Sequence, residues 1–171
     1  MKKEDRQKLR ERARELAMEP VKDDKDQMVM EVIRFSMGNE IYAVESAFVR
    51  DVAPLKDLTP LPGLPDFILG LINLRGEILS VVNLKYFFNL PGTGLSELNK
   101  VIFLQNDQIE FGILADELLG RSSILSSSIQ PLLTTVTGIG SEYLAGITQD
   151  RIIILNAGRM LSDPRMLIEQ N

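Results

Sequence analysis

Few residues of this chain could carry out chemistry, and their types and spacing form no catalytic set. The sequence contains no histidine and no cysteine, which excludes Ser-His and Cys-His pairs, thiolate nucleophiles and a histidine phosphorelay. Asp116 and Glu117 are adjacent carboxylates after an apolar run, but neighbours in a strand point to opposite faces and do not form an acid–base pair. The glycine-rich segments 92–94 and 138–141 lack the spacing of phosphate-binding loops. We therefore expect no enzyme, no catalytic residues, no cofactor and no metal site.

Arg75 is the best candidate for a contact with a partner. An apolar run from Phe67 to Leu74 meets Arg75-Gly76, and a second apolar run follows from Ile78 to Val82. Two β-rich runs separated by a short segment that contains glycine predict a hairpin. The hairpin would hold a long cationic side chain on a rigid turn, where it can touch a partner. A solvated turn arginine is the alternative, and from the residues alone it is the commoner case.

Composition limits the class of protein. The 171 residues are 44% apolar and 25% charged, which suits one globular domain or two small units that share a core. The net charge of −5 disfavours binding to nucleic acid or to anionic lipid. There is no apolar run of about 18 residues and no apolar segment near the charged N-terminus, so we expect neither a membrane span nor a signal peptide. We expect a cytoplasmic protein.

Residues 1–28 form a charged N-terminal extension, predicted to be a helix followed by a linker. Leu9, Ala13 and Leu16 have helical spacing and give a narrow apolar stripe. Pro20 and the polar residues after it favour a linker. The helix could dock on a partner or remain a solvated extension, and the narrow stripe favours the second interpretation.

The rest of the chain reads as short strands with turns between them, and its second half repeats the plan of its first. The matched pairs are Phe35 with Phe103 and Ile41 with Ile109, 68 residues apart, then Gly70 with Gly146 and Asn83 with Asn156. Such spacing predicts two similar β-units in a barrel or sandwich. Asn83 and Asn156 are predicted to cap the helical turns that follow their strands, and Asp163-Pro164 to begin a short C-terminal helix.

Four segments together carry a resemblance to a known family. They are FSMGNEIYAV, PLPGLPDFILGLINLRGEILSVVNL, FGILADELLG and SEYLAGITQDRIIILNAGRML. Over residues 29–168 the chain resembles the CheW family, adaptors that link chemoreceptors to the histidine kinase CheA in bacterial and archaeal chemotaxis.

The resemblance implies an all-β fold of two SH3-like five-stranded β-barrels that share a core. The barrels would be subdomains at roughly 29–90 and 100–160 of a CheW-like domain spanning 29–171, with short helices, an N-terminal helical extension and a short C-terminal helix. It also implies a non-catalytic protein with no cofactor, recruited from the cytoplasm to membrane-associated receptor arrays.

The resemblance further implies two partners. The cytoplasmic tip of a chemoreceptor would bind in a groove that includes Val49, Gly70 and Arg75, and the CheW-like regulatory domain of CheA would bind other surfaces. Gly70 would let a partner backbone come close, and Arg75 would reach a carboxylate or a helix C-terminus. Core packing and strand geometry are the alternatives for Val49 and Gly70.

Two other functions remain open. A CheW-like scaffold could serve a chemosensory pathway other than motility. An SH3-like module could bind nucleic acid, but the acidic balance and the absence of tryptophan disfavour that function.

Overall fold

The computed structural model describes residues 28–88, 90, 95, 98–131 and 142–166. Ten strands run through these residues: β1 (Val29–Met37), β2 (Glu40–Glu45), β3 (Val49–Pro54), β4 (Ile68–Leu74), β5 (Glu77–Val82), β6 (Lys100–Gln105), β7 (Glu110–Ala115), β8 (Glu117–Leu125), β9 (Leu144–Ile147) and β10 (Ile152–Leu155). The short helices are α1 (Lys85–Phe88) and α2 (Ala157–Leu161), and 3-10 turns lie at Ser46–Phe48, Ser126–Ser128 and Pro164–Met166. No helix of the described part of the chain is long and apolar enough to cross a membrane.

The strands form two five-stranded sheets with the same plan. Sheet 1 has the order β8-β1-β2-β10-β9 and sheet 2 has the order β3-β6-β7-β5-β4. The two orders are equivalent, since β1 corresponds to β6, β2 to β7, β8 to β3, β9 to β4 and β10 to β5. The predicted mostly-β fold with two five-stranded units is confirmed. The sheets do not follow the predicted limits of 29–90 and 100–160, because each half of the chain gives its first hairpin to the sheet of the other half.

The pairing of edge strands shows the true register of the repeat. Asp51 lies opposite Phe103 in sheet 2, and Gly120 lies opposite Arg34 in sheet 1. Asp51 and Gly120 are 69 residues apart, as are Arg34 and Phe103. The predicted match of Phe35 with Phe103 is therefore wrong by one residue. Side chains alternate between the faces of a strand, so this shift exchanges the two faces.

Three clusters of buried side chains follow from this alternation. A large shared core between the sheets includes Phe35, Met37, Tyr42, Ile102, Leu104, Phe111, Tyr143 and Met160. On its other face sheet 2 packs around Ile72, Leu74, Leu79, Val81, Val101, Phe103 and Leu114. Sheet 1 packs around a smaller set, Val32, Ala43, Ile124 and Ile154. The expected shared core is confirmed.

The two asparagines that the repeat matches, Asn83 and Asn156, have the capping role that the sequence predicts. The side chain of Asn156 accepts a hydrogen bond from the Arg159 N–H at 3.0 Å and caps α2. Asn83 accepts from the Lys85 N–H at 3.1 Å before α1. Both caps are confirmed. The predicted C-terminal helix begins at Pro164 as a 3-10 turn, and its remainder, like residues 1–27 of the predicted extension, lies outside the described residues.

Candidate partner-binding surface

Arg75 lies on the tight hairpin turn that the sequence predicts. Leu74 and Glu77 are paired across β4 and β5, which leaves Arg75-Gly76 as a two-residue turn. Their φ angles of 52° and 91° are both left-handed, as a type I′ turn requires. The Asn73 side chain accepts the Gly76 N–H at 2.9 Å and stiffens the turn. The arginine side chain is 73% exposed on this rigid support.

One carboxylate of the chain holds the Arg75 side chain. The Arg75 Nη2 atom lies 2.9 Å from Oδ2 of Asp51. Asp51 belongs to β3, the opposite edge of sheet 2 from β4, so the sheet curls until its two edges approach each other at this end. A carboxylate on a partner would compete with Asp51 for the guanidinium.

Arg50, the neighbour of Asp51, is held more firmly. Its guanidinium contacts Glu77 at 2.9 Å and Glu110 at 2.5 Å. The Arg50 hydrogen bonds lower the pKa of Glu77 below its ordinary value. Arg50 thus ties β3 to β5 and β7, whereas Arg75 is the more available cation. Sequence reasoning missed both Arg50 and Asp51, although paired charges in β3 are typical of an edge strand.

Val49 occupies a position between core and surface. It is partly buried and packs against the shared core together with Phe48 and Val52. It also lines a groove of about 370 Å³ between β3 of sheet 2 and the strands β1 and β8 of sheet 1. Asp51 lines the same groove and joins it to Arg75 through the ion pair. The structure therefore brings Val49 and Arg75 to one surface.

Gly70 lies apart from this groove, and a contact within the chain explains why a glycine is needed at this position. A Cβ atom on Gly70 would lie 2.6 Å from the carbonyl oxygen of Thr59. Thr59 and Leu71 exchange two backbone hydrogen bonds of 2.8 Å beside it. The close backbone approach that glycine permits is thus made by the chain itself. Gly70 is five residues from Arg75 along β4, a distance of roughly 16 Å in a strand.

Comparisons with known proteins agree with this architecture. A family model for the CheW-like domain matches residues 31–165. The chain is 26% identical to the chemotaxis protein CheW of Treponema pallidum (strain Nichols), over 80% of this chain and 84% of that protein. It is 29% identical to protein FrzA of Myxococcus xanthus, over 77% of this chain and 84% of that protein.

A solved structure shows the same fold. The scaffolding protein TtCheW from Thermoanaerobacter tengcongensis is 32% identical to this chain, with a TM-score of 0.65. The similarity covers 75% of this chain and 90% of that protein. The family model, the similar proteins and the solved structure with the same fold show that the chain belongs to the CheW family of chemotaxis scaffold proteins.

Proposed function

We propose that this protein is a non-catalytic adaptor that couples chemoreceptors to the histidine kinase CheA. The observation that carries the proposal is the placement of Arg75 on a rigid turn, where it pairs with Asp51, a carboxylate that lines the groove between the sheets. A cation held in this way can exchange one carboxylate for another at low cost, because its hydrogen bonds are replaced rather than lost. Membership of the CheW family supports the same function.

In this proposal the receptor tip binds along the groove and meets Arg75 at its end. Val49 and Val52 give the groove an apolar strip, which suits the apolar face of a receptor helix. Arg75 then leaves Asp51 and pairs with a receptor carboxylate or with a helix C-terminus. Gly70 acts indirectly, since it keeps the Thr59 segment against β4.

The CheW-like regulatory domain of CheA binds a surface away from this groove, which an adaptor requires if both partners are to bind together. The complex would form in the cytoplasm at membrane-associated receptor arrays.

Reconstitution of a three-component complex tests the proposal. A receptor signalling fragment, CheA and this protein are mixed, and receptor-bound kinase is measured by co-sedimentation with and without the adaptor. We expect the protein to appear in the complex and to increase the amount of kinase bound. A protein that binds only one of the two partners, or neither, would contradict the adaptor function.

A CheW-like scaffold for a chemosensory pathway other than motility is the second candidate. The relative named FrzA in Myxococcus xanthus favours it, since not all similar proteins carry the CheW name. Deletion of the gene separates the two candidates. Loss of chemotaxis on swim plates supports the first, and normal chemotaxis together with kinase binding by the purified protein supports the second.

A further inference from the structure

Sheet 1 carries a pocket with polar and apolar walls at the place where sheet 2 is filled by apolar side chains. The pocket has a volume of about 360 Å³ and is lined by residues of β1, β8, the 3-10 turn after β8, the segment that precedes β10 and the first residue of β10. Arg34 of β1 lines it. The 69-residue repeat places Arg34 at the position of Phe103, which is fully buried in the cluster of sheet 2. The same backbone position therefore carries a cation in one sheet and an aromatic ring in the other.

The described residues leave part of the hydrogen-bonding capacity of Arg34 unused. The Arg34 Nε atom is shielded from solvent and has no hydrogen-bond partner among the described residues. Asp150 also lines the pocket, but within the described part of the chain it makes no ion pair with Arg34. Because solvent does not reach the Nε atom, a ligand in the pocket would pair with the terminal nitrogens of the guanidinium.

The other groups of the pocket restrict what that ligand can be. Three aliphatic side chains line it: Ile124, Leu125 and Ile152. Hydroxyl groups line it too, among them Ser122 and Thr148. The Thr148 Oγ1 atom accepts the Ile152 N–H at 3.1 Å, so its proton is left to donate to a ligand. The pocket thus offers a guanidinium and hydroxyl donors beside an apolar wall.

We propose that this pocket binds a small aliphatic carboxylate. A guanidinium recognises a carboxylate through paired charge-assisted hydrogen bonds, and the apolar wall suits a short hydrocarbon body. The volume is at the small end of the range for small-molecule pockets. Asp150 at the pocket and the net charge of −5 disfavour a doubly charged anion such as phosphate. The site is separate from the groove at Val49 and does not depend on the adaptor function.

A titration of the full chain by NMR tests the proposal with hexanoate as the probe. We expect saturable shifts of the backbone amides around Arg34, Ser122 and Thr148. Neutral hexanol, which lacks the charge, should bind at least about tenfold more weakly than hexanoate. Shifts that do not saturate would overturn the proposal, as would hexanol binding equal to that of hexanoate. Inorganic phosphate that binds more tightly than hexanoate would overturn the choice of a carboxylate.

Variants at Arg34 connect the binding to the guanidinium. Arg34→Phe installs the residue that sheet 2 carries at this position, and Arg34→Met is the variant to use if the ring does not fit. Either should unfold in one cooperative transition and bind hexanoate at least about tenfold more weakly than the parent. Arg34→Lys, which keeps the charge without the planar fork, should bind with intermediate affinity. Hexanoate binding that is unchanged in a folded Arg34→Phe or Arg34→Met variant would overturn the assignment.

Discussion

Sheet 1 and sheet 2 share their strand order, but within the described residues the ion pair between the hairpin-turn arginine and the edge strand is seen in sheet 2 and not at the equivalent positions of sheet 1. In sheet 2 Arg75 pairs with Asp51. In sheet 1 Gly120 stands at the position of Asp51, and Arg151, 76 residues after Arg75, has a left-handed φ of 65° before the last strand. Within the described residues no ion pair is recorded for Arg151. The repeated backbone places an arginine, Arg75 or Arg151, at the same point of each sheet. The residue on the neighbouring edge strand, Asp51 or Gly120, decides whether that arginine has a carboxylate partner there.

A contact that links the two sheets, between α1 and the residue that joins β7 to β8, also differs between the repeats. Its loss is expected to have the largest effect on stability. Lys85 is almost fully buried and pairs with Asp116 at 2.8 Å. Asp116 also accepts the Gly38 N–H at 2.8 Å. In the other half of the repeat, Gly158 is equivalent to Lys85 and Ala47 is equivalent to Asp116, and neither carries a charge. A charged contact between these two positions is therefore made in one half of the repeat and cannot form in the other.

Replacement of Asp116 by alanine, the residue at the equivalent position, should destabilise the protein strongly. Because it removes a carboxylate that pairs with a buried lysine and accepts the Gly38 N–H, we expect a loss of about 3 kcal/mol in the free energy of unfolding. Urea denaturation followed by circular dichroism measures it. Arg159→Ala, which removes an exposed ion pair with Glu142 at 3.6 Å, is the control and should change stability by less than about 0.5 kcal/mol. A similar small change for Asp116→Ala would show that the pair does not hold the two sheets together.

Tyr143→Phe exchanges a second pair of equivalent residues. Tyr143 and Phe67 each accept the backbone N–H of the asparagine that ends a strand, Asn156 and Asn83, but only Tyr143 has a hydroxyl. This hydroxyl donates to the Asp163 carboxylate at 2.6 Å in a buried site. Its removal should cost about 2 kcal/mol in the free energy of unfolding, as for hydrogen bonds to charged groups. A loss near zero would mean that Arg165 alone satisfies Asp163.

The same variant should change how stability depends on pH. The Arg165 guanidinium and, less strongly, the Tyr143 hydroxyl hold the pKa of Asp163 well below its ordinary value. A lowered folded-state pKa contributes stability that is complete above the unfolded-state value of about 3.9 and is lost as the pH falls below it. Thermal unfolding from pH 6 to pH 2.5 should show a smaller acid loss for Tyr143→Phe than for the parent. An equal loss would contradict the role of the hydroxyl.

Local rules predicted much of the fold, and contacts between distant residues account for what they missed. The turn at Arg75-Gly76 and the asparagine caps depend on neighbours in sequence, so their residue types reveal them. The register of the repeat was off by one residue, because Phe35 and Phe103 match in type but face different cores. Asp51 was missed because its contact with Arg75 joins two edges of a curled sheet. The receptor contact of Gly70 stays a prediction, and the close approach of Thr59 to Gly70 joins residues too far apart in sequence for local rules to reveal.

Arg75→Asn should have the smallest effect on stability. Asparagine before glycine is the preferred sequence of a type I′ turn, and an exposed ion pair contributes little. We expect a change within about 0.5 kcal/mol of the parent in the same urea measurement. A loss above about 1.5 kcal/mol would show that the contact with Asp51 holds the sheet edges together, and binding data from Arg75 variants would then need separate controls for folding.

Asp51→Asn sharpens the comparison in the opposite direction. It removes the charge that competes for Arg75 and leaves the arginine without its carboxylate, as in sheet 1. We expect tighter binding of a receptor signalling fragment, by about two- to fivefold, with unchanged binding of the kinase regulatory domain. Weaker receptor binding would mean that Asp51 itself contacts the receptor or positions Arg75 for it.

Charge reversal at Arg75 tests the adaptor site most directly. Arg75→Glu and its matched control Arg151→Glu, on the equivalent loop of sheet 1, are compared by calorimetry for binding to a receptor signalling fragment and to the CheA regulatory domain. Arg75→Glu should fold normally, bind the kinase domain as the parent does and lose at least about tenfold in receptor affinity. Arg151→Glu should bind both partners unchanged. Undiminished receptor binding by a well-folded Arg75→Glu variant would contradict the assigned site.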